Sequence, residues 1–212
     1  MFWPGMNAQI ADTVSSCEIC LTHRNRNAKE PMIGHDIPTR PWQKVGMDLF
    51  ELYAKDYLLI VDDYSGYFEI NQLTSTKSNS VIKFCKQQFA RHGISSEVVS
   101  DNGPQFSSAE FKAFSKSYEF EHTLVSPNYP QSNGRAEKAV QTAKLILKKA
   151  KEDKQDPYIA LLNYRNTPRD GLPSPVQLLM SRRTKTQLPT SKKLLKPKTN
   201  KTIVKTLQKQ TK

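Results

Sequence analysis

The sequence predicts an α/β fold in three layers: a mixed five-stranded sheet with helices on both faces, preceded by a short helical segment that carries a close cysteine pair. Three observations point there. Between residues 45 and 73, three β-rich segments follow one another with only short polar breaks between them, which is the pattern of an antiparallel meander. Beyond residue 78, helix and strand patterns alternate, the order of an α/β domain. The helical patterns there carry their apolar residues on one stripe, so each needs a packed surface to cover it.

Taken in order, Pro4-Gly5 opens a short helical pattern through Ile10 and Val14 that runs up to Cys17-Glu18-Ile19-Cys20. The Asn-, Arg- and Pro-rich stretch that follows, ending at Arg40, reads as a linker. Val45 to Leu52 is the first strand, with Asp48 inside it. Tyr57 to Val61 is a continuous apolar second strand, and Tyr67 to Leu73 is a third with Phe68 and Ile70 on one face. A helix from Asn79 to His92 places Val81, Phe84, Cys85 and Phe89 together and stops at Gly93. A short strand from Glu97 to Ser100 runs into Asp101-Asn102-Gly103. Ser107 with Glu110 suggests a capping box that opens a helix with Phe111, Phe114 and Tyr118 inward. His122 to Val125 is the last strand. The loop Ser126 to Gly134 leads into the longest helix, whose apolar stripe is Ala136, Ala139, Val140, Ala143, Ile146, Leu147 and Ala150. Asp156-Pro157 caps and starts another helix through Tyr164.

A chain of 212 residues has room for one main domain with appendages. A hydrophobic fraction of 37% beside 25% charged residues is the balance of an ordinary folded domain. No run approaches the ~20 apolar residues of a membrane span, and the opening Met-Phe-Trp-Pro-Gly is unlike a secretory signal. The protein is therefore expected inside the cell, with no membrane partner. Cys17, Cys20 and Cys85 are too few for a secreted disulfide framework, which leaves reduced thiols or a metal site at the close pair.

The net charge of +12 is concentrated at one end. After Asp170 there is no acidic residue and there are eleven basic ones, from Arg182 to Lys212, whereas residues 1–170 are nearly neutral with 21 basic against 20 acidic side chains. Such a segment suits phosphate tracking or a nuclear address.

Asp48, Asp101 and Glu137 sit respectively in the first strand, just past the fourth, and in the first turns of the long helix. If the first and fourth strands are neighbours, a helix packed over them can bring the third acid to the same point. Three gathered carboxylates repel one another, and divalent cations relieve that repulsion. All-oxygen ligation with open positions suits Mg²⁺. A pair of such ions activates an attacking oxygen and stabilises the leaving one in displacement at phosphorus. Each acid alone has a plainer reading: an edge-strand aspartate, a turn former, or an acid favoured at a helix start.

The segments PWQKVGMDLF, VVSDNGPQFSSAEF and SPNYPQSNGRAEKAVQTAK around these acids resemble the integrases of retroviruses and of gypsy-like LTR retrotransposons. The 35 residues between Asp101 and Glu137 match the spacing of that DDE family. FWPGM with CEIC resembles the end of its zinc-binding module, and NYRNTPRDGLPSPVQLLMSRR its segment after the catalytic helix. The resemblance implies an RNase H-like core over residues 41–190, a partial zinc-binding module over 1–26, a linker over 27–40 and a basic tail over 191–212.

It further implies two Mg²⁺ or Mn²⁺ ions held by Asp48, Asp101 and Glu137, with water cutting the element's DNA ends and the freed 3′-hydroxyls then attacking target DNA. Element-end and target DNA would be the partners, with a homo-oligomer assembled on DNA and a nuclear place of action. Pro130 to Gly134 would be a mobile catalytic loop. DNA contacts would come from Gln131, Asn133, Gly134, Lys138, Gln141, Lys144 and Lys148. Gln141 departs from the family, where a basic residue is common, so contact there would be by hydrogen bonding.

Zinc needs four ligands, and the family takes two histidines from upstream of the cysteines. None precedes Cys17, so Cys17 and Cys20 offer half a Zn²⁺ site, as a piece of a longer polyprotein would. His23 and His35 follow the cysteines and have no assigned role. Cys85, His92 and His122 read as structural, Trp3 and Trp42 as edge packing, and Asp62-Asp63 as a turn before Ser65-Gly66. Asp63 would approach the ions only if its strand ended nearby. Two other functions stay open: a non-catalytic DNA-binding remnant of an integrase, and an RNase H-type nuclease, against which PQSNG and the 35-residue spacing argue.

The basic tail generates a direct test. Deleting the residues after Arg183 should flatten the salt dependence of DNA binding by about one unit of log–log slope for each phosphate that the tail neutralises. An unchanged slope rejects the tail as a DNA-binding element.

Overall fold

Alternation along the first two strands sets up the architecture. In the computed structural model, which describes residues 3–17, 38–125, 134–169 and 171–197, β1 (Lys44–Leu52) pairs antiparallel with β2 (Lys55–Asp62). Val45 and Met47 face one side while Phe50 and Leu52 face the other, as the two-residue period requires. The turn between them is only Tyr53-Ala54, both left-handed with φ of 54° and 55°. That is the geometry that matches the twist of a tight hairpin. Neither residue is a usual choice there, which is why the polar run Ala54-Lys55-Asp56 reads as a longer break in the sequence. β2 in fact begins at Lys55.

β2 pairs antiparallel with β3 (Phe68–Gln72), completing the expected meander. The chain then crosses through helix α2 (Ser78–His92) to β4 (Glu97–Ser100), which pairs parallel with β1. Helices α3 (Pro104–Ser107) and α4 (Ala109–Ser117) lead to β5 (Glu121–Leu124), parallel to β4. The five strands run in the order β3-β2-β1-β4-β5.

Two apolar layers cover the sheet. On one face, Val81, Phe84, Cys85 and Phe89 of α2 meet Phe106, Phe111, Phe114 and Phe120 over Val45, Met47, Leu58, Ile60 and Val98. On the other, α5 (Gly134–Glu152) lays Ala136, Ala139, Val140 and Ala143 against Phe50, Leu52, Leu59, Val61 and Phe68, joined by Leu161 of α6 (Pro157–Asn166). The small side chains on α5 bring its axis close to the strands, which matters for what its first turn carries.

Two expectations change. The expected Ser107 cap is displaced by one residue: Ser107 ends the short α3, and Ser108 caps α4 by accepting from the Phe111 N–H at 3.1 Å. The intervening Gly103-Pro104 start creates an extra turn of helix that shifts the cap. Trp42 is not at an edge but buried in the core, its ring 4.4 Å from that of His92. Trp3 is half-exposed and donates to Gln9 Oε1 at 2.9 Å, ahead of α1 (Met6–Ser16).

The chain divides into two units, Met1–His35 and Asp36–Lys212. In the second, the turn after β2 is held from several directions. The Asp62 carboxylate, fully buried, accepts from the N–H groups of Trp42, Tyr64 and Ser65 and from the Ser65 hydroxyl. Burial pushes its carboxyl up, opposed by those four donors. Arg169 donates to Ser65 O at 2.8 Å, and its guanidinium occupies the space a side chain at Gly66 would need. Arg165 donates to Phe68 O and to Glu69, whose carboxylate also meets His92 at 3.1 Å. The helix α7 (Pro175–Met180) follows, and a 3-10 turn at Lys192–Leu195 accepts from Arg183 N through Leu194 O. No helix among the described residues is long and apolar enough to cross a membrane.

Asp62→Ala strips buried N–H groups of their acceptor and should lower the unfolding free energy by about 3 kcal/mol, read by urea denaturation. A loss under about 1 kcal/mol would mean that the backbone bonds hold the turn without the carboxylate.

Candidate active site

The β1–β4 register places two of the three acids. Met47 is level with Ser100, the last residue of β4. Asp48 is the next residue of β1, and Asp101 is the next residue of the chain as it leaves the sheet. Asp48 is half-buried in the continuing strand, paired with Leu59 of β2, so its side chain shares the face of Phe50 and Leu52 that α5 covers. Asp101 is exposed, with its Oδ1 accepting from the Gly103 N–H at 3.1 Å, a local turn that precedes Pro104 at the start of α3. Glu137 lies in the first turn of α5, exposed beside the fully buried Ala136 that fixes the helix on the sheet.

Charge ties the three together. Burial, and next the Asp101 charge, push the Asp48 carboxyl up to about 6, with Glu137 adding to the rise. A backbone hydrogen bond at Leu49 and the Lys144 ammonium pull the other way. Charges from the loop and the helix therefore bear on the strand's Asp48, and an all-carboxylate donor set fits a hard divalent cation. Among the described residues, no three His, Cys, Asp or Glu side chains are drawn together as one metal-holding group. What relates the three acids is the action of the Asp101 and Glu137 charges on Asp48.

Lys144 is half-buried, with Nζ 5.7 Å from the centre of the Phe50 ring. Lys138, Gln141 and Lys148 are exposed on the same helix. Gly134 is the first residue of α5, and among the described residues nothing lies within 4 Å of where its side chain would go. Gln131 and Asn133 lie outside the described residues, as do Pro130, Cys20, His23 and His35. Cys17 follows directly on α1. Cys85 is core filling as expected: burial pushes its thiol up to about 12.

Asp63 does not join the acids. Burial raises its carboxyl to about 6, and the charges acting on it are those of Arg135, Lys44, Asp62 and Glu97. Arg135, two residues before Glu137, donates to the Asp63 carbonyl and so ties the start of α5 to the turn after β2. In the sequence neither this residue nor Ser100 stands out and His122 reads as structural, yet Ser100 Oγ and His122 Nε2 lie 2.9 Å apart. Burial pushes the His122 imidazole below its ordinary value. Only the β4–β5 pairing brings these two within reach, so no spacing in the sequence marks them.

The Asp48 shift makes a stability prediction with a defined sign. The folded chain keeps the Asp48 proton up to about pH 6, whereas an unperturbed aspartate releases it at 3.8. Folding is thus penalised progressively as pH rises through that interval, and the penalty stays above it. Asp48→Asn should therefore be more stable than the parent by on the order of 2 kcal/mol above about pH 7 in metal-free buffer, the gain vanishing near about pH 4. Thermal unfolding across that range checks it; a gain independent of pH rejects the electrostatic origin.

Residues 38–130 match the family described as Integrase core domain. A Caenorhabditis elegans protein named "Uncharacterized protein K02A2.6" is 30% identical over 209 residues, 93% of this chain and 16% of that protein. The Transposon Tf2-3 polyprotein of Schizosaccharomyces pombe is 27% identical over 155 residues, 69% of this chain and 12% of that polyprotein. The chain thus spans 16% and 12% of the length of these two relatives. Among solved structures, the catalytic core domain of BIV integrase superposes with a TM-score of 0.57 at 22% identity, covering 65% of this chain and 93% of that one. A chain of the simian T-cell lymphotropic virus intasome in complex with PP2A regulatory subunit B56 gamma gives 0.61 at 22% identity, covering 87% and 72%. At that identity the likeness is one of fold, and the fold is RNase H-like. The sheet order, the transposon relatives and the likeness of fold all agree with the match of residues 38–130 to an integrase core domain.

Proposed function

We propose that this chain processes DNA ends and joins them to target DNA, with Asp48, Asp101 and Glu137 as its catalytic acids. One observation carries the proposal: the charges of Asp101 and Glu137 both bear on the half-buried Asp48, although the three residues come from a strand, a loop and a helix. Separate turn-forming or dipole-seeking acids have no reason to be coupled in this way.

Mg²⁺ or Mn²⁺, when bound, would neutralise the acids, sharpen the attacking oxygen and offset charge on the leaving one. Asp48, Asp101 and Glu137 would hold it. The chain's own groups then have to bind and orient DNA. Lys144, whose charge already acts on Asp48, sits where a phosphate could be steered toward the acids. Lys138, Gln141 and Lys148 extend that exposed surface along α5. In end processing, water attacks a phosphodiester and a 3′-hydroxyl is released. In joining, that 3′-oxygen forms a bond to a target phosphorus while the target's own 3′-oxygen departs. One ester bond forms as another breaks, so no external energy source is required.

The proposal extends to element-end and target DNA as partners, to assembly of several copies on DNA and to action in the nucleus. The likeness to a chain of a viral intasome supports the assembly. Gln131, Asn133 and Gly134 would contribute to the DNA surface. Zinc binding at Cys17 and Cys20 would need ligands from elsewhere in a longer polypeptide.

Incubation with a duplex bearing a recessed 3′ end should give nicked and joined products only with Mg²⁺ or Mn²⁺. Asp48→Asn and Glu137→Gln should each reduce product by more than the ~100-fold reached by losing an outer-shell partner of a metal site. Equal DNA binding by parent and variants, with no joined product from any of them, would instead identify a DNA-binding remnant.

A further inference from the structure

Of the three acids, Asp101 alone lacks a regular element to hold it: Asp48 is fixed by β1 and Glu137 by α5, whereas Asp101 follows the last residue of β4 and is exposed. The Gly103 N–H holds one of its carboxylate oxygens, and its main chain needs an anchor of its own. We propose that Ser100 and His122 form a positioning relay that fixes the main chain of Asp101, and through it the carboxylate offered to the metal. The inference rests on the metal-dependent reading given above and adds two residues to it.

The direction of the hydrogen bonds follows from counting protons. Ser100 Oγ donates to the Asp101 carbonyl at 3.0 Å, which uses the only hydrogen that hydroxyl has. The 2.9 Å contact between Ser100 Oγ and His122 Nε2 must then run the other way, with the imidazole N–H donating and the serine oxygen accepting. The chain of donors is His122 to Ser100 to Asp101, and it requires the tautomer protonated on Nε2.

Both groups are braced. Ser100 is fully buried, and its carbonyl accepts from the Val125 N–H at 2.9 Å. The half-buried His122 ring lies 4.6 Å from the ring of Phe111, which belongs to the aromatic layer of α3 and α4. The β4–β5 register sets Val98 opposite His122 and Ser100 opposite Leu124, so His122 reaches Ser100 diagonally across the strand pair. A hydroxyl and an imidazole against an aromatic core carry a desolvation cost that two aliphatic side chains would avoid. Here they satisfy each other and pass the remaining donor to the one carbonyl that adjoins a catalytic acid. Partners of this kind, one bond removed from a ligand, orient it and tune its affinity.

Mn²⁺ binding to the full chain, followed by electron paramagnetic resonance and run beside the DNA-joining assay, tests the relay. Ser100→Ala and His122→Leu should each weaken Mn²⁺ binding by about tenfold. Ser100→Thr keeps the hydroxyl and His122→Gln keeps an N–H donor, so each should recover most of the affinity that the apolar variant at its position gives up. A role limited to packing predicts no such rescue. If His122→Leu fails to fold, the Ser100→Ala and Ser100→Thr comparison decides alone. Parental affinity in Ser100→Ala, or equal loss in the alanine and threonine variants, overturns the relay. A parent that binds no Mn²⁺ overturns it together with the metal reading. Mn²⁺ binding that responds to the variants as expected, in a chain that joins no DNA, leaves the relay standing and removes the DNA-joining function.

Discussion

The parallel pairing of β1 with β4 is the constraint from which the site follows. It joins segments some fifty residues apart, and its register ends with Met47 beside Ser100. Because β1 continues while β4 stops there, one acid stays in the sheet and the other leaves it at the same level. Had the pairing slipped by a single residue, every side chain of β4 would have changed faces, and Val98, now in the core, would have been turned out of it. The hydrophobic pattern of Glu97–Ser100 therefore protects the position of Asp101 as well as the packing.

That arrangement works against stability. Burial first, and then the charges of two other acids, push the carboxyl of the half-buried Asp48 to about 6. The compensation lies elsewhere in the same unit. The turn after β2 receives Arg135 from the start of α5, Arg165 from α6 and Arg169 from the segment after α6, each donating to a main-chain carbonyl. Asp62 gathers four donors into the same turn. Guanidinium groups suit this work because several directed N–H donors sit on one rigid plane. The helices beside the acids are thus fastened to the sheet at a point removed from the acids themselves.

Much of this was legible in the sequence because it is periodic. Phe68 with Ile70, the stripe from Val81 to Phe89, and the alanines of α5 each obey the period of their element, and the structure buries them accordingly. The three acids could be selected from twenty only through the motifs that surround them. Periodicity fails where the chain turns tightly or where two distant segments meet. The Tyr53-Ala54 hairpin uses residues with no turn preference. The Trp42 ring reaches His92 across fifty residues. The Arg135, Arg169 and Ser100–His122 interactions depend on strand register, which composition does not encode.

Helix α5 shows how one segment meets two demands at once. Ala136, Ala139, Val140 and Ala143 form the stripe that packs on the sheet. Glu137, Gln141, Lys144 and Lys148 recur at intervals of four, three and four residues, so they form a second stripe turned about 100° from the first. Small residues on the packed stripe let the helix approach closely, and that approach brings the first member of the polar stripe within electrostatic range of Asp48. Lys144 follows two turns later, half-buried over Phe50 and opposing the charge that Glu137 adds. Larger side chains on the packed stripe would move the helix outward and carry the acid and the lysine away together. The distance of these metal-facing and DNA-facing groups from the sheet in the proposed function is therefore set by the small size of three alanines, Ala136, Ala139 and Ala143, that touch neither ligand.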